Sequence, residues 1–98
     1  MKAIWKDTVI ADSDETIKVE GSVYFPQSSL RKQYINASKT RTESPDMGEA
    51  SYFSIEVSGD INKDSVWYYA APGEAAIAKV GQDFSGYVTF NKDIKITK

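Results

Sequence analysis

Ser51-Tyr52-Phe53-Ser54-Ile55-Glu56-Val57, then Ser58-Gly59-Asp60, then Val66-Trp67-Tyr68-Tyr69 is the stretch whose reading decides the fold. Phe53, Ile55 and Val57 recur two apart, the period of a strand with one buried face, so Tyr52 points the other way. Ser58-Gly59-Asp60 is turn chemistry between two runs rich in aromatic and β-branched residues, which predicts an antiparallel pair. The connection also has room for a wider loop through Asn62-Lys63-Asp64.

Working outward, the same alternation predicts strands at Ala3-Ile4-Trp5 and Thr8-Val9-Ile10-Ala11, joined by a tight turn at Lys6-Asp7. Thr16 through Phe25 reads as one strand with Ile17, Val19, Val23 and Phe25 on one face, bent or bulged at Gly21. Phe84 and Tyr87-Val88-Thr89-Phe90, a turn at Asn91-Lys92-Asp93, and Ile94-Lys95-Ile96-Thr97 read as a closing β-hairpin. Helix is scarce. Pro26 leads into a short helix over Gln27 to Tyr34, where Leu30 and Tyr34 are spaced i and i+4. A second helical turn is expected at Glu74 to Ala78, after Pro72-Gly73. The expectation is a mainly β fold: a single antiparallel β domain over residues 1–98 with one or two short helical turns.

The 98 residues, 41% of them hydrophobic, enclose one core region and leave no room for a second domain. Net charge is −2 with both signs interspersed, so no basic field attracts a polyanion and nucleic acid is not an expected partner. Cysteine is absent, which removes disulfides, thiolate metal sites and cysteine nucleophiles. Histidine is absent too, so acid–base work would fall to carboxylates, lysine, tyrosine or hydroxyls. Met1-Lys2-Ala3-Ile4-Trp5-Lys6-Asp7 carries charge where a secretory signal would be apolar, and no later stretch has the length of a membrane span. A cytoplasmic location without membrane partners is the expectation.

Asp60-Ile61-Asn62-Lys63-Asp64 imitates the first half of a calcium loop. Ser65 replaces the glycine of its sharp turn and Ala71 stands where the bidentate glutamate belongs, so a solvated turn is the better reading and no metal is expected. The glycines are isolated and form no phosphate-cradling loop, and no cofactor is expected. Serines are plentiful, yet none has the spacing to a lysine that an activated nucleophile would need.

Ala3-x-Trp5, Val9-Ile10-Ala11, Val19-Glu20-Gly21, Tyr24-Phe25-Pro26, Thr42-x-Ser44-Pro45-x-x-Gly48-x-Ala50-x-Tyr52 and Trp67-Tyr68-Tyr69 resemble, in order and spacing, the small bacterial proteins grouped as domain-of-unknown-function family 427. The likeness covers nearly the whole chain. It implies a mainly antiparallel β fold, similar to the tent-like β architecture of methionine sulfoxide reductase B and the drug-binding domain of cereblon, relatives that suggest aromatic pockets. Fold alone does not fix function. The family's usual turn resembles Thr-x-Cys-Pro-Trp-Lys-Gly, and this chain departs from it with Ser44, Asp46 and Met47. Any chemistry carried there by cysteine or lysine is lost. A nucleotidyltransferase label has been attached to the family, but paired metal-binding aspartates are missing here.

Two tryptophans, six tyrosines and four phenylalanines are more than one small core needs on a single sheet face. Alternation sends Trp67 and Tyr69 to one face and Tyr68 to the other. The first expectation is therefore a module that binds a small molecule or short peptide over an aromatic pocket. Tyr52, Trp67 and Tyr69 form its floor, with Ser44, Glu43 and Arg41 from the polar Thr40–Gly48 turn at its rim. One alternative is an enzyme in which a partly buried Glu20 or Glu43 works as acid or base near Tyr24 or Tyr52. The other is a structural interaction module, monomeric or weakly dimeric, that docks through an exposed aromatic patch.

Overall fold

The structure, a computed structural model, describes Met1 to Lys98. Strand β1 (Lys2–Trp5) pairs antiparallel with β2 (Thr8–Asp12) through Lys6 and Asp7, both at positive φ, 50° and 57°. That is the geometry of a two-residue turn whose twist matches its strands.

Thr16 to Phe25 is a hairpin and not one bent strand: β3 (Ile17–Val19) pairs with β4 (Ser22–Tyr24) across Glu20 and Gly21, at φ 51° and 84°. Two consecutive left-handed residues reverse the chain, which Gly21 permits without a Cβ penalty. Ile17 pairs with Tyr24 and Val19 with Ser22, so Ile17, Val19 and Tyr24 look to one side while Val23 and Phe25 look to the other. The expected common face of Ile17, Val19, Val23 and Phe25 is thereby split in two.

Two 3-10 turns, Gln27–Ser29 and Lys32–Tyr34, replace the expected single helix. Leu30 and Arg31 between them are extended, and the Arg31 amide donates to the Ile10 carbonyl at 2.8 Å, tying the segment to β2. Leu30 and Tyr34 do face the core, as their spacing suggested.

Strands β5 (Ile35–Ser44), β6 (Gly48–Val57), β7 (Asp60–Tyr69) and β8 (Val88–Phe90) form one antiparallel sheet in that order. Thr40 to Ser44 are therefore strand, and the turn shrinks to Pro45–Met47. The sequence there shows no apolar alternation because β5 is the sheet edge and most of its residues face solvent. Asn62-Lys63-Asp64 likewise belongs to β7 and not to a wide loop. Its ladder steps from Phe53↔Val66 to Ile55↔Asn62 at a bulge where Asp64 sits at φ 54°.

Helix α1 (Glu74–Val80) follows β7, extending the predicted turn. The chain does not close as a hairpin. β9 (Lys95–Thr97) leaves β8 and pairs with β1, giving a second sheet in the order β2-β1-β9. Ile94, 3% exposed, enters the core between the two, which is why Asn91–Asp93 crosses from one sheet to the other.

Phe25 and Val88 exchange both backbone hydrogen bonds at 2.8 Å, joining the β3–β4 hairpin to the free side of β8. One face of the extended sheet packs on β2-β1-β9 through Ile10, Phe25, Ile55, Val66 and Val88. The other face carries a smaller core under α1, made of Val19, Tyr24, Met47, Ala76 and Phe84. No helix is long and apolar enough to cross a membrane.

Candidate functional site

The face of the sheet that bears α1 is covered only in part. Register places Thr42 beside Ala50, Ala50 beside Tyr69, and Tyr52 beside Trp67, so Thr42, Ser44, Tyr52, Trp67 and Tyr69 all project from this face. Arg41 pairs with Ser51 and Glu43 with Glu49, one residue out of phase, and both project from the opposite face. The predicted rim is thus divided: Ser44 stays with the aromatics, while Arg41 and Glu43 do not. The Arg41 guanidinium is also occupied, donating to the carbonyls of Ser38 (3.0 Å) and Thr40 (2.8 Å).

Of the twelve aromatic side chains, ten pack in or against the two cores, and Tyr52 and Trp67 belong to neither. Both are half-buried. Their ring centroids are 6.1 Å apart with planes inclined at 38°, and the Tyr52 hydroxyl shares a 2.9 Å hydrogen bond with Thr42 Oγ1. A tilted pair presents ring faces to a visitor that a tight stack would hide. By contrast Phe53 and Tyr68, on the other face, stack at 5.3 Å and pack against the larger core.

Tyr69 leads from this pair toward the smaller core, meeting Phe84 edge-on at 6.5 Å, and Phe84 in turn meets Tyr24 at 5.8 Å. Burial raises the Tyr69 phenol above its ordinary value, the nearby Tyr52 adds to this, the Trp67 indole donor opposes it, and Glu20 adds a little more. Burial also pushes the Tyr24 phenol from 10.0 up to about 12, with Tyr69 and then Glu20 adding. The phenols of Tyr52, Tyr69 and Tyr24 thus form a row that ends near the Glu20 carboxylate.

A folded-state pKa raised above its unfolded value contributes stability fully present below pH 10 and lost as pH rises to about 12. Tyr24→Phe should therefore remove an alkaline destabilisation of on the order of 1–2 kcal/mol, discounted from the full shift because the hydroxyl end is partly solvated. Urea midpoints of parent and variant across that pH range check this.

Beside the row, Ser44 Oγ accepts from the Met47 amide at 3.3 Å and so closes the Pro45–Met47 turn. Glu43, Ser44, Pro45 and Gly48 line a shallow depression at the hairpin tip that no aromatic joins. A more enclosed cavity of about 260 Å³ lies under α1, lined by Glu20, Asp46, Met47, Ala76, Lys79 and Val80 among others. Glu20, 59% exposed, pairs with Lys79 at 3.8 Å. Glu20 is thus on the side of Tyr24 but exposed, where the acid–base alternative needs partial burial, and Glu43 is exposed on the far face from Tyr52.

The imitation calcium loop has another use. The Asp64 carboxylate accepts from Ser38 Oγ (2.5 Å) and Thr40 Oγ1 (2.7 Å), reaching across β6 to staple the bulged parts of β5 and β7. These hydroxyls hold its carboxyl below the ordinary range. No three acidic side chains converge as metal ligands. Spacing alone did not reveal this staple or the cavity, since each joins residues 20 or more apart in the chain.

A family model described as a domain of unknown function (DUF427) matches residues 1–97. No curated protein matches the chain. With the match running over essentially its whole length, the chain belongs to that family.

Proposed function

We propose that this member of the DUF427 family is a binding module that takes a small ligand with a flat apolar face on Tyr52, Trp67 and Tyr69. The observation that carries this is the exclusion of Tyr52 and Trp67 from both cores, while every other aromatic is used in packing. Large aromatic surface left half-exposed is unproductive for folding and is the usual material of a recognition site. Thr42 fixes the Tyr52 ring through the shared hydrogen bond, so its orientation is set before a ligand arrives. The phenols of Tyr52 and Tyr69 supply polar edges that orient a carbonyl or ring nitrogen.

A thermal-shift screen of aromatic metabolites and nucleosides on the parent and on Trp67→Ala tests the reading. A ligand at about a hundred times its dissociation constant stabilises the parent by roughly 2.7 kcal/mol. The variant is expected to lose that shift. A hit retained undiminished by Trp67→Ala would place the site elsewhere, and no hit for either protein would count against a small-molecule role.

A further inference from the structure

We propose that the cavity under α1 is a second binding site, separate from the aromatic face, and that it takes a small primary amine with an apolar body. Three segments far apart in sequence build it: the Glu20–Gly21 turn, the Pro45–Met47 turn and the α1 residues Ala75, Ala76, Lys79 and Val80. Met47 and Ala76 are 8% and 7% exposed and give an apolar floor continuous with the smaller core. The walls carry two carboxylates, Glu20 and Asp46, against one ammonium, Lys79.

That balance selects the charge of the ligand. An anion would meet Lys79 but also two carboxylates, whereas an ammonium gains Glu20 and Asp46 and restores neutrality to the walls. The Glu20–Lys79 pair, at 3.8 Å with Lys79 76% exposed, is a loose surface contact that an incoming ammonium can replace at small cost. Size selects the body. A cavity of about 260 Å³ has the room of roughly eight or nine waters at the liquid's volume per molecule, which suits a short branched or aromatic amine and is too little for a nucleotide. Tyr24, behind the floor, keeps its proton throughout the physiological range and adds no further anion.

The turn that supplies Asp46 and Met47 is held firmly enough to define a site. The Gly73 amide donates to the Met47 carbonyl at 3.4 Å, and Gly48 lies against the Ala71 carbonyl. Both wall residues of the turn are therefore fixed relative to the start of α1, the element that forms the opposite wall.

The test uses three probes of one shape: isoamylamine, isoamyl alcohol and isovalerate. The methyl resonance of Met47 reports directly on the floor, since the only other methionine is Met1. Titration into the millimolar range should move the Met47 signal saturably with the amine and more weakly with the alcohol and the acid. Glu20→Gln combined with Asp46→Asn should weaken the amine by about tenfold or more, the size of effect expected for losing charge-assisted hydrogen bonds. Ala75→Leu, at an exposed helix position on the cavity wall, should block all three probes without disturbing the fold. Equal responses to the three probes, an unmoved Met47 signal with the amine, or undiminished affinity in the carboxamide variant would overturn the proposal. Trp67→Ala should leave the amine titration unchanged, so failure here is distinguishable from failure at the aromatic face.

Discussion

Phe25→Ala is expected to cost about 3–5 kcal/mol, the range for truncating a fully buried phenylalanine. Phe25 is 0% exposed, lies in the larger core and meets Phe90 edge-on at 5.4 Å. Its backbone makes both hydrogen bonds to Val88 that join the β3–β4 hairpin to the main sheet. Removing the ring therefore leaves a cavity at the junction of three structural units, where collapse is limited because each neighbour is anchored in a different sheet. For a domain of this size each kcal/mol corresponds to roughly 4–8 °C in Tm, so a loss of at least about 12 °C is expected by calorimetry or circular dichroism. Phe25→Leu, which keeps most of the volume, should recover much of that loss. A fall of only a few degrees in Phe25→Ala would show that the hairpin is not docked as described.

Gly48→Ala is the second large effect, at about 2–3 kcal/mol, and it arises from one added methyl group. Gly48 opens β6 at φ 99°, where an L side chain is strained, and a Cβ there would stand 3.2 Å from the Ala71 carbonyl oxygen. Neither partner can easily yield: Gly48 is fixed by its pairing with Ser44, and the segment after Ala71 is held by the Gly73–Met47 hydrogen bond. The glycine therefore allows the hairpin tip to lie against the entry to α1. Urea unfolding of the variant measures the loss, and the smaller core should suffer first, because Met47 is attached to the displaced turn. If Gly48→Ala unfolds at the parent's midpoint, the tip is not in contact with that segment. Gly59, whose added Cβ would meet nothing within 4 Å, is the control that separates φ strain from crowding.

The contrast between what the residues foretold and what they concealed follows from burial. Phe53, Ile55 and Val57 alternate cleanly because one face of β6 packs on the larger core, and their strand is legible at once. β5 is equally long, but as an edge strand it has no face to bury and leaves no periodic trace, so Thr40 to Ser44 read as a turn. The Glu20–Gly21 reversal escapes for a different reason: the turn swaps the parity of the two faces, but Ile17 and Val19 pack on the smaller core and Val23 and Phe25 on the larger, so the apolar residues stay at odd positions throughout. The last strand begins one residue later than expected, at Lys95, and has a different partner, since Ile94 is drawn into the core between two sheets and no local pattern encodes that long-range choice. In the candidate site, Tyr52, Trp67, Tyr69 and Ser44 were brought to one face by the strand register. Arg41 and Glu43 were not, because a residue within a strand cannot share a face with its immediate neighbour. Asp46, Met47 and Lys79 could be joined only by the fold itself.

Whether Tyr52 and Trp67 stand outside the structural cores is tested most directly by equilibrium urea unfolding of Tyr52→Ala, Trp67→Ala and the core-facing comparison Tyr68→Ala. The expected result is a cost of about 1 kcal/mol or less for Tyr52→Ala and Trp67→Ala, in keeping with half-exposed positions, and a cost at least about twice as large for Tyr68→Ala, which packs against the larger core. A loss in Trp67→Ala equal to or greater than that in Tyr68→Ala would make Trp67 a packing residue and contradict the assignment of this face to binding.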